Sequence, residues 1–220
     1  GVRLFQRTTR RIALTDEGRT YLDRTREVLA AADAADRAVS TDASALTGAL
    51  TLTAPVMFGQ MYVAPALVRF MQQHPQLQCR LLLQDRVLDL LEEGIDVGVR
   101  ISPLGDSTLI AHTLGHIHRV TVASPALVAE RGLPTHPSDL LDAPVVHVRL
   151  DAPSVWRYQP APQRQPGARR ARALQVRVRP RLAFNHIQPA LQACVAGIGF
   201  GQFFSYQVQP YVDRGELVPV

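Results

Sequence analysis

QPALQACVAGIGFGQFF, residues 188–204, decides the fold class. Gln188 to Ala196 reads as a helix closed by Gly197, the residue that most readily adopts the left-handed conformation ending a helix. IGFGQFF, residues 198–204, then reads as a strand. The same helix–glycine–strand unit recurs twice. Val87 to Glu93 is expected as a helix closed by Gly94 and followed by the strand IDVGVRI. Tyr206 to Arg214 is expected as a helix closed by Gly215, with LVPV beginning a last strand. Strands and helices alternating at these lengths mean α/β layers around mostly parallel sheets.

Outward from these units, LTLTA (50–54) reads as a strand and Gly59 to Gln73 as an amphipathic helix that stops at His74-Pro75. Leu77 to Leu83 is a strand with Leu77, Cys79, Leu81 and Leu83 on one face. IDVGVRI is apolar enough to be central in a sheet. LIAHTLGHIHRVTVAS (109–124) carries one or two strands, and Ser124-Pro125 is a helix N-cap with proline at the first helical position; Gly132 ends that helix. PVVHVRL (144–150) is a strand. VRVRPRLAFN (176–185) is another, with Arg outward and Val and Leu inward.

Toward the N-terminus the pattern changes. Val2, Leu4 and Phe5 precede RTTRR, and Ile12 and Leu14 follow it, so residues 1–14 read as two strands around a turn. Thr15 begins a helix; its hydroxyl and the acids Asp16 and Glu17 suit the free amides and positive dipole of a helix start. No proline interrupts the run to about Ser40. Tyr21/Leu22, Val28/Leu29 and Ala35/Asp36 form a heptad seam suited to a partner helix, though a surface helix packed on its own domain fits the same Ala-rich pattern. TDASALTG (41–48) is a short linker.

Of the 220 residues 46% are hydrophobic, enough for more than one folding unit, and no apolar run reaches the length of a membrane span. The first eleven residues hold Arg3, Arg7, Arg10 and Arg11 with no apolar block behind them, which is not a signal peptide. The chain opens without Met and in mid-pattern, so residues are expected upstream. Cys79 and Cys194, far apart in apolar segments, read as buried free thiols and fit a reducing cytoplasm. Net charge is +5, and the basic residues are all Arg. The excess lies between Ala152 and Val212, a stretch with Arg but no acid, rich in Pro and Gln. A basic surface there would meet nucleic acid or anions. The alternative is a solvated loop, since no aromatics interleave with the Arg as single-strand binding requires.

The N-terminal segment resembles the LysR family of bacterial transcriptional regulators. That family's DNA-binding domain ends in LF-x-R-x-x-R-x-x-x-LT-x-x-G, and Leu4-Phe5, Arg7, Arg10, Leu14-Thr15 and Gly18 stand at this spacing. LTLTAPVMFG, LLEEGIDVGVRI, SPLGDSTLIA, RVTVASPALVAERGLP, FN before a helix, VAGIGFG and DRGELVPV extend the likeness over most of the chain. The resemblance implies residues 1–14 as the wing remnant of a winged helix-turn-helix, 15–42 as a linker and dimerisation helix, and 48–220 as an effector-binding domain. That domain would be two Rossmann-like lobes of the type 2 periplasmic-binding-protein kind: lobe I 48–118 and 203–220, lobe II 119–202. The helix-turn-helix itself is absent from these residues, and His186 stands where the family often has Asp. The last strand is expected to continue past Val220.

The resemblance also implies the sites. Arg7, Thr8, Thr9, Arg10 and Arg11 would form a wing tip on the phosphate backbone, where guanidinium and hydroxyl groups position without reading bases; ordinary surface charge is the alternative. A small organic anion would sit between the lobes, held by Thr53, Pro55, Val56, Arg100, Ile101, Ser102, Ala123, Ser124, Asn185, Phe200, Gly201 and Gln202. Free amides at helix N-termini favour such a group. Ser124 alternatively only caps its helix, and Arg100 alternatively pairs with Asp96 or Asp106. Expected partners are promoter DNA, the effector, further copies of the chain in a homodimer or homotetramer, and RNA polymerase; no membrane and no cofactor are expected. Three other readings compete, of which a pure dimerisation module is permitted by the heptad helix but leaves the rest of the chain without a role. A stand-alone solute-binding protein would share the fold but not the wing motif. A metal-dependent enzyme would need a site such as His112, His116 and His118, evenly spaced but interrupted by Gly115. Neither GxSxG, a P-loop nor HExxH occurs, so no catalytic role and no metal is expected.

Overall fold

In the computed structural model, residues 2–7, 12–39, 46–102, 109–150, 154–158 and 173–220 are described. The chain divides into two compact units: Gly1–Ala54 with Gln60–Gly98, and Pro55–Gly59 with Val99–Val220.

The first unit begins with a hairpin of β1 (Phe5–Arg7) and β2 (Ile12–Leu14), Phe5 opposite Leu14. Helix α1 (Asp16–Val39) follows directly. Thr15 joins the two. Its N–H donates to the Leu4 carbonyl at 3.1 Å, its hydroxyl donates to the Arg3 carbonyl at 2.7 Å, and the same oxygen accepts the Gly18 N–H at 2.9 Å. A Cβ on Gly18 would collide with the Leu4 carbonyl. The spacing of Leu4, Thr15 and Gly18 is therefore one joint: threonine caps the helix while glycine lets the hairpin lie against it. Tyr21, Val28 and Leu29 stand exposed along α1, in the expected seam. Most of the linker, residues 41–45, lies outside the described residues.

The unit's sheet is parallel, in the order β4-β3-β5, built from β3 (Gly48–Ala54), β4 (Leu77–Leu83) and β5 (Val97–Gly98). Two expectations fail here. IDVGVRI contributes only two residues, at an edge rather than the centre, because the chain leaves this unit after Gly98. Val87 to Glu93 is not helical. The Asp89 carboxylate accepts the Leu91 and Glu92 amides at 2.9 and 3.1 Å, a local turn that competes with helix. Gly94 still closes that turn at φ 62°.

The helix expected at 59–73 runs from residue 56 to 73 in three pieces: α2 (Val56–Phe58), a π-helical segment Gly59–Val63, and α3 (Ala64–Gln73). Pro65 lies at the start of α3 and has no N–H to give to the preceding turn, and its ring crowds that turn; a wider π turn relieves both.

In the second unit the elements are β6 (Arg119–Ala123), α4 (Pro125–Arg131), a 3-10 turn at Pro137–Leu140, β7 (Val145–Val148), β8 (Val155–Tyr158), β9 (Leu174–Arg177), β10 (Pro180–Phe184), α5 (Ile187–Val195), β11 (Phe200–Phe204), α6 (Ser205–Asp213) and β12 (Val218–Pro219). The main sheet has the order β10-β7-β11-β6-β12. Its first three strands are parallel, and β6 is antiparallel to both neighbours. β8 and β9 form a separate antiparallel pair. The single strand expected over 176–185 is two. Val178 turns aside to donate to Ser154, and Pro180, which cannot donate, opens the next strand. Residues 109–118 form no strand, so only one strand lies in 109–124.

Residues 203–220 carry the end of β11, then α6 and β12. β11 runs between β7 and β6, and β12 pairs with β6 through Val218 opposite Ala123. The β11–β6 ladder runs from Gly201 opposite Val122 to Phe204 opposite Arg119. Residues 99–118 likewise group with this unit.

Strand alternation splits the core across the sheet. Val122, Val146 and Phe203 point to one face, packed with Leu191, Cys194, Val208, Tyr211 and Leu217. Ala123, Val145 and Phe200 point to the other, packed with Leu127, Leu140, Trp156, Val176 and Val178. Burial holds the Cys194 thiol protonated, its pKa pushed up to about 12. A Cβ on Gly201 would overlap the Phe203 ring and lie 2.6 Å from Cys194 Sγ, so glycine is required at the centre of β11.

Candidate functional site

Chemistry-bearing side chains converge at one end of the second unit's sheet. Gln202 pairs with Thr121 and Phe204 with Arg119 across β11 and β6. The parallel register Phe200–Val145 and Gly201–Val146 sets Gln202 level with His147. The face that carries Ala123, Phe200 and Val145 therefore changes along the strands: apolar first, then Thr121, Gln202 and His147, then Arg119, Phe204 and Arg149. Strand β8 covers the middle row. The Trp156 indole N–H donates to His147 Nδ1 at 3.3 Å, and the Tyr158 hydroxyl bonds Thr121 Oγ1 at 2.9 Å.

His147 is the unusual member. It is buried, with 9% exposure, and among the described residues its Nε2 has no hydrogen-bond partner. Burial first, then the charges of Arg149 and Arg119, hold its pKa below the ordinary value. An indole N–H can only donate, so Nδ1 accepts and the proton of the neutral ring sits on Nε2. The result is a buried donor with no acceptor among the described residues.

The two guanidiniums reinforce this. Arg119 lies over the Phe204 ring, 4.5 Å from its centroid. Its pKa is lowered, first by burial of the guanidinium and then by Arg149. Among the described residues neither Arg119 nor Arg149 forms an ion pair with a carboxylate. Arg149 takes a φ of 128°, outside ordinary side-chain-bearing conformations, and is tied there by its N–H to the Phe184 carbonyl at 2.8 Å. Burial also raises the Tyr158 pKa, partly offset by hydrogen bonds from Thr121 and Gln202.

The residues read from sequence fall in several places. Thr53 is fully buried at the end of β3 in the first unit. Pro55 and Val56 start α2, Pro55 in an extended N-cap conformation. Arg100 donates to the Val99 carbonyl at 3.0 Å, with its pKa lowered by burial; Ile101 and Ser102 follow it, and Asp106 lies outside the described residues. The Ser124 hydroxyl accepts the Leu127 N–H at 3.2 Å and so caps α4. Ala123, Phe200 and Gly201 are buried in the sheet. Asn185 is exposed, directly after Phe184 and before α5, which His186 begins without a side-chain cap. Gln202 alone of this set supplies a polar side chain to the row with His147. Thr8, Thr9, Arg10 and Arg11 lie outside the described residues, as do residues 159–172 of the Arg-rich stretch. His112, His116 and His118 share no strand, and among the described residues no three His, Cys, Asp or Glu side chains are placed to hold a metal. No helix among the described residues is long and apolar enough to cross a membrane.

Residues 43–220 match the family described as the LysR substrate binding domain. The chain belongs to the LysR family. Among curated relatives, the HTH-type transcriptional repressor PA14_22550 of Pseudomonas aeruginosa is 31% identical over 223 residues, covering 100% of this chain and 68% of that protein. DmlR of Escherichia coli, an HTH-type transcriptional regulator, is 31% identical over 99% of this chain and 68% of its own length. An uncharacterized HTH-type regulator of Haemophilus influenzae is 38% identical over 63% of this chain and 48% of its own length. The chain thus spans about half of that relative and two thirds of the others. Among solved structures, the regulatory domain of AphB in Vibrio vulnificus superposes with TM-score 0.66 at 26% identity, covering 79% of this chain and 83% of that one. CrgA of Neisseria meningitidis, at 22% identity over 100% of this chain and 71% of its own, has TM-score 0.67 and shows the fold. The fold class is α/β, with Rossmann-like lobes of the type 2 periplasmic-binding-protein kind.

Proposed function

We propose that this chain is the regulatory part of a LysR-type transcriptional regulator whose domain over residues 48–220 binds a small organic anion and whose whole protein binds promoter DNA. The observation that carries this reading is the family match over residues 43–220, joined to the Leu4–Thr15–Gly18 joint that ties a wing-like hairpin to a long helix. In this reading residues 1–14 are a wing, with Arg7 to Arg11 on phosphates, and residues 15–42 pair with a second copy in a homodimer or homotetramer; the exposed Tyr21, Val28 and Leu29 support that pairing. Thr53, Pro55, Val56, Arg100, Ile101, Ser102, Asn185 and Gln202 are carried as effector-binding residues, while Ala123, Ser124, Phe200 and Gly201 shape the strands and cap beside them. The protein works in the cytoplasm, contacts RNA polymerase at its promoter, and catalyses no reaction.

The test is binding of the full-length protein to DNA upstream of its own gene against unrelated DNA of equal length. Specific binding is typically at least 10³-fold tighter than non-specific binding at physiological salt. Equal affinity for both DNAs refutes the regulator.

A further inference from the structure

The outer face of the β8–β9 ribbon carries charge that the regulator reading leaves without a role. We infer that Arg157, Arg177 and Arg179, with Arg181 on the strand that follows, contact the phosphate backbone of duplex DNA beside the operator, independently of its sequence. The inference rests on the DNA-binding reading above and adds a second DNA contact, located in the regulatory part.

Strand alternation builds this face. Trp156, Val176 and Val178 turn inward and are buried. Arg157, Gln175, Arg177 and Arg179 therefore turn outward, and all four are exposed. Arg157 stands opposite Gln175, and Val155 opposite Arg177. Arg157 and Arg177 are thus diagonal neighbours, about 7–8 Å apart. The Val178 N–H donates to the Ser154 carbonyl at 2.8 Å, which carries the pairing one step beyond β9 and keeps Arg179 on the same face. Two residues of extended chain set Arg179 about 7 Å beyond Arg177. Arg181, also exposed, follows on β10, the outermost strand of the main sheet.

What marks the face is missing counter-charge. Other exposed arginines have acids beside them: Arg24 meets Glu27, and Arg214 meets Glu216, each at 2.8 Å. Among the described residues none of Arg157, Arg177, Arg179 and Arg181 forms an ion pair. The 3-10 turn at Pro137–Leu140 packs Leu140 against the inner side of the ribbon, but its acid, Asp139, accepts the Thr135 and His136 amides at 3.0 Å each. Of the neighbouring residues outside the described ones, 159–172 contain no Asp or Glu, and 151–153 contain only Asp151. One carboxylate cannot neutralise four guanidiniums. Like charges in a row repel one another, and a polyanion laid along them relieves that repulsion.

The make-up of the face selects the polyanion. Guanidinium forks match phosphate oxygens. No aromatic ring stands on the outward positions to stack unpaired bases, so duplex suits the face better than single strands. A protein partner would want an apolar or aromatic anchor at the centre of its footprint, and the half-buried Val155 is the one apolar side chain among these outward positions. Phosphate contacts need no such anchor and carry no base information.

The test uses the full-length protein and two duplexes of equal length, its own upstream DNA and unrelated DNA. Affinity is measured across a salt series for the wild type, for Arg157→Gln/Arg177→Gln/Arg179→Gln, and for the corresponding triple Lys variant. Circular dichroism confirms that each variant is folded. Each phosphate contact contributes about 0.9 to the slope of log affinity against log salt, so the Gln variant should lower that slope by about 0.9–2.7 on both DNAs. Its affinity should fall roughly tenfold or more, equally for both, leaving the ratio between them unchanged. The Lys variant should keep most of the slope, because the charge remains. A slope lowered by less than about 0.9 in the Gln variant overturns the contact. So does an equal loss in the Lys variant, which would make the arginines structural, and so does a loss confined to the upstream DNA. Unchanged DNA slopes with weakened binding to polyglutamate would assign the face to an acidic protein instead. Equal wild-type affinity for the two DNAs refutes the regulator, whereas an unchanged slope beside intact specificity refutes this contact alone.

Discussion

Replacing Trp156 by Phe tests whether the β8 strand fixes the histidine on the sheet beneath it. Trp156 is 3% exposed, and its indole N–H is the donor to His147 Nδ1 at 3.3 Å. Phenylalanine keeps an aromatic ring but removes that donor, leaving a buried acceptor without a partner at a cost of about 1–3 kcal/mol. The smaller ring also leaves unfilled space among Val145, Val176, Val178 and Phe200, adding about 1 kcal/mol. The expected loss is about 2–4 kcal/mol. At about 3–5 °C per kcal/mol for a unit of this size, the midpoint should fall by about 6–20 °C. Differential scanning calorimetry reads the midpoint, and nitrogen-15 NMR of the imidazole reads the tautomer. The wild type should carry its proton on Nε2, and the variant should lose that preference. A midpoint lowered by less than about 2 °C, or a wild-type ring protonated on Nδ1, would refute the reasoning.

Other outcomes follow from the same structure. Ser124→Ala should destabilise the second unit by about 1 kcal/mol through loss of the α4 cap, while leaving ligand-induced stabilisation unchanged; a loss of ligand response would restore Ser124 to the binding site. Gly201→Ala should cost about 1–3 kcal/mol in urea unfolding, because Phe203 and Cys194 are both buried and cannot withdraw, and part of that should return with Cys194→Ala in the same chain. His147 faces Arg119, Arg149, Trp156, Tyr158, Thr121 and Gln202, and its pKa is lowered in the folded state. The unfolded chain therefore takes up the proton first, so this stability is full above about pH 6.5 and is lost as pH falls through the lowered folded value. His147→Gln should flatten that part of the midpoint–pH profile, and an unchanged profile would contradict the assignment. In the full-length protein, Arg7→Ala should reduce the slope of log affinity against log salt by about 0.9 if Arg7 meets a phosphate.

The sequence was most legible where one residue does one thing. Glycine at a positive φ ends the segments at Gly94, Gly132, Gly197 and Gly215, and Thr15 and Ser124 cap the helices that follow them. Strands with clean alternation, such as Leu77–Leu83 and Phe200–Phe204, stand as expected. Errors arose where a local polar contact or a distant pairing competed with the pattern. The Asp89 carboxylate captures amides that the expected helix would have used, and Pro65 widens a turn inside an otherwise periodic helix. The pairing of β12 with β6 joins distant segments, which no periodicity encodes. The donor cluster was missed for a similar reason. PVVHVRL and RVTVA each place polar groups on one side of a strand, His147 with Arg149 and Arg119 with Thr121. That signal is visible in each strand separately, but only the sheet, with β11 between them, brings the two together.

The most direct test of the account is a footprint of the full-length protein on its upstream DNA, with and without the carboxylate that best stabilises the 220-residue chain. Effector binding alters DNA binding only through different affinities for two states of the protein, so a regulator of this kind should change its protected region or its affinity at saturating carboxylate. An unchanged footprint and affinity, with the carboxylate demonstrably bound, would contradict it.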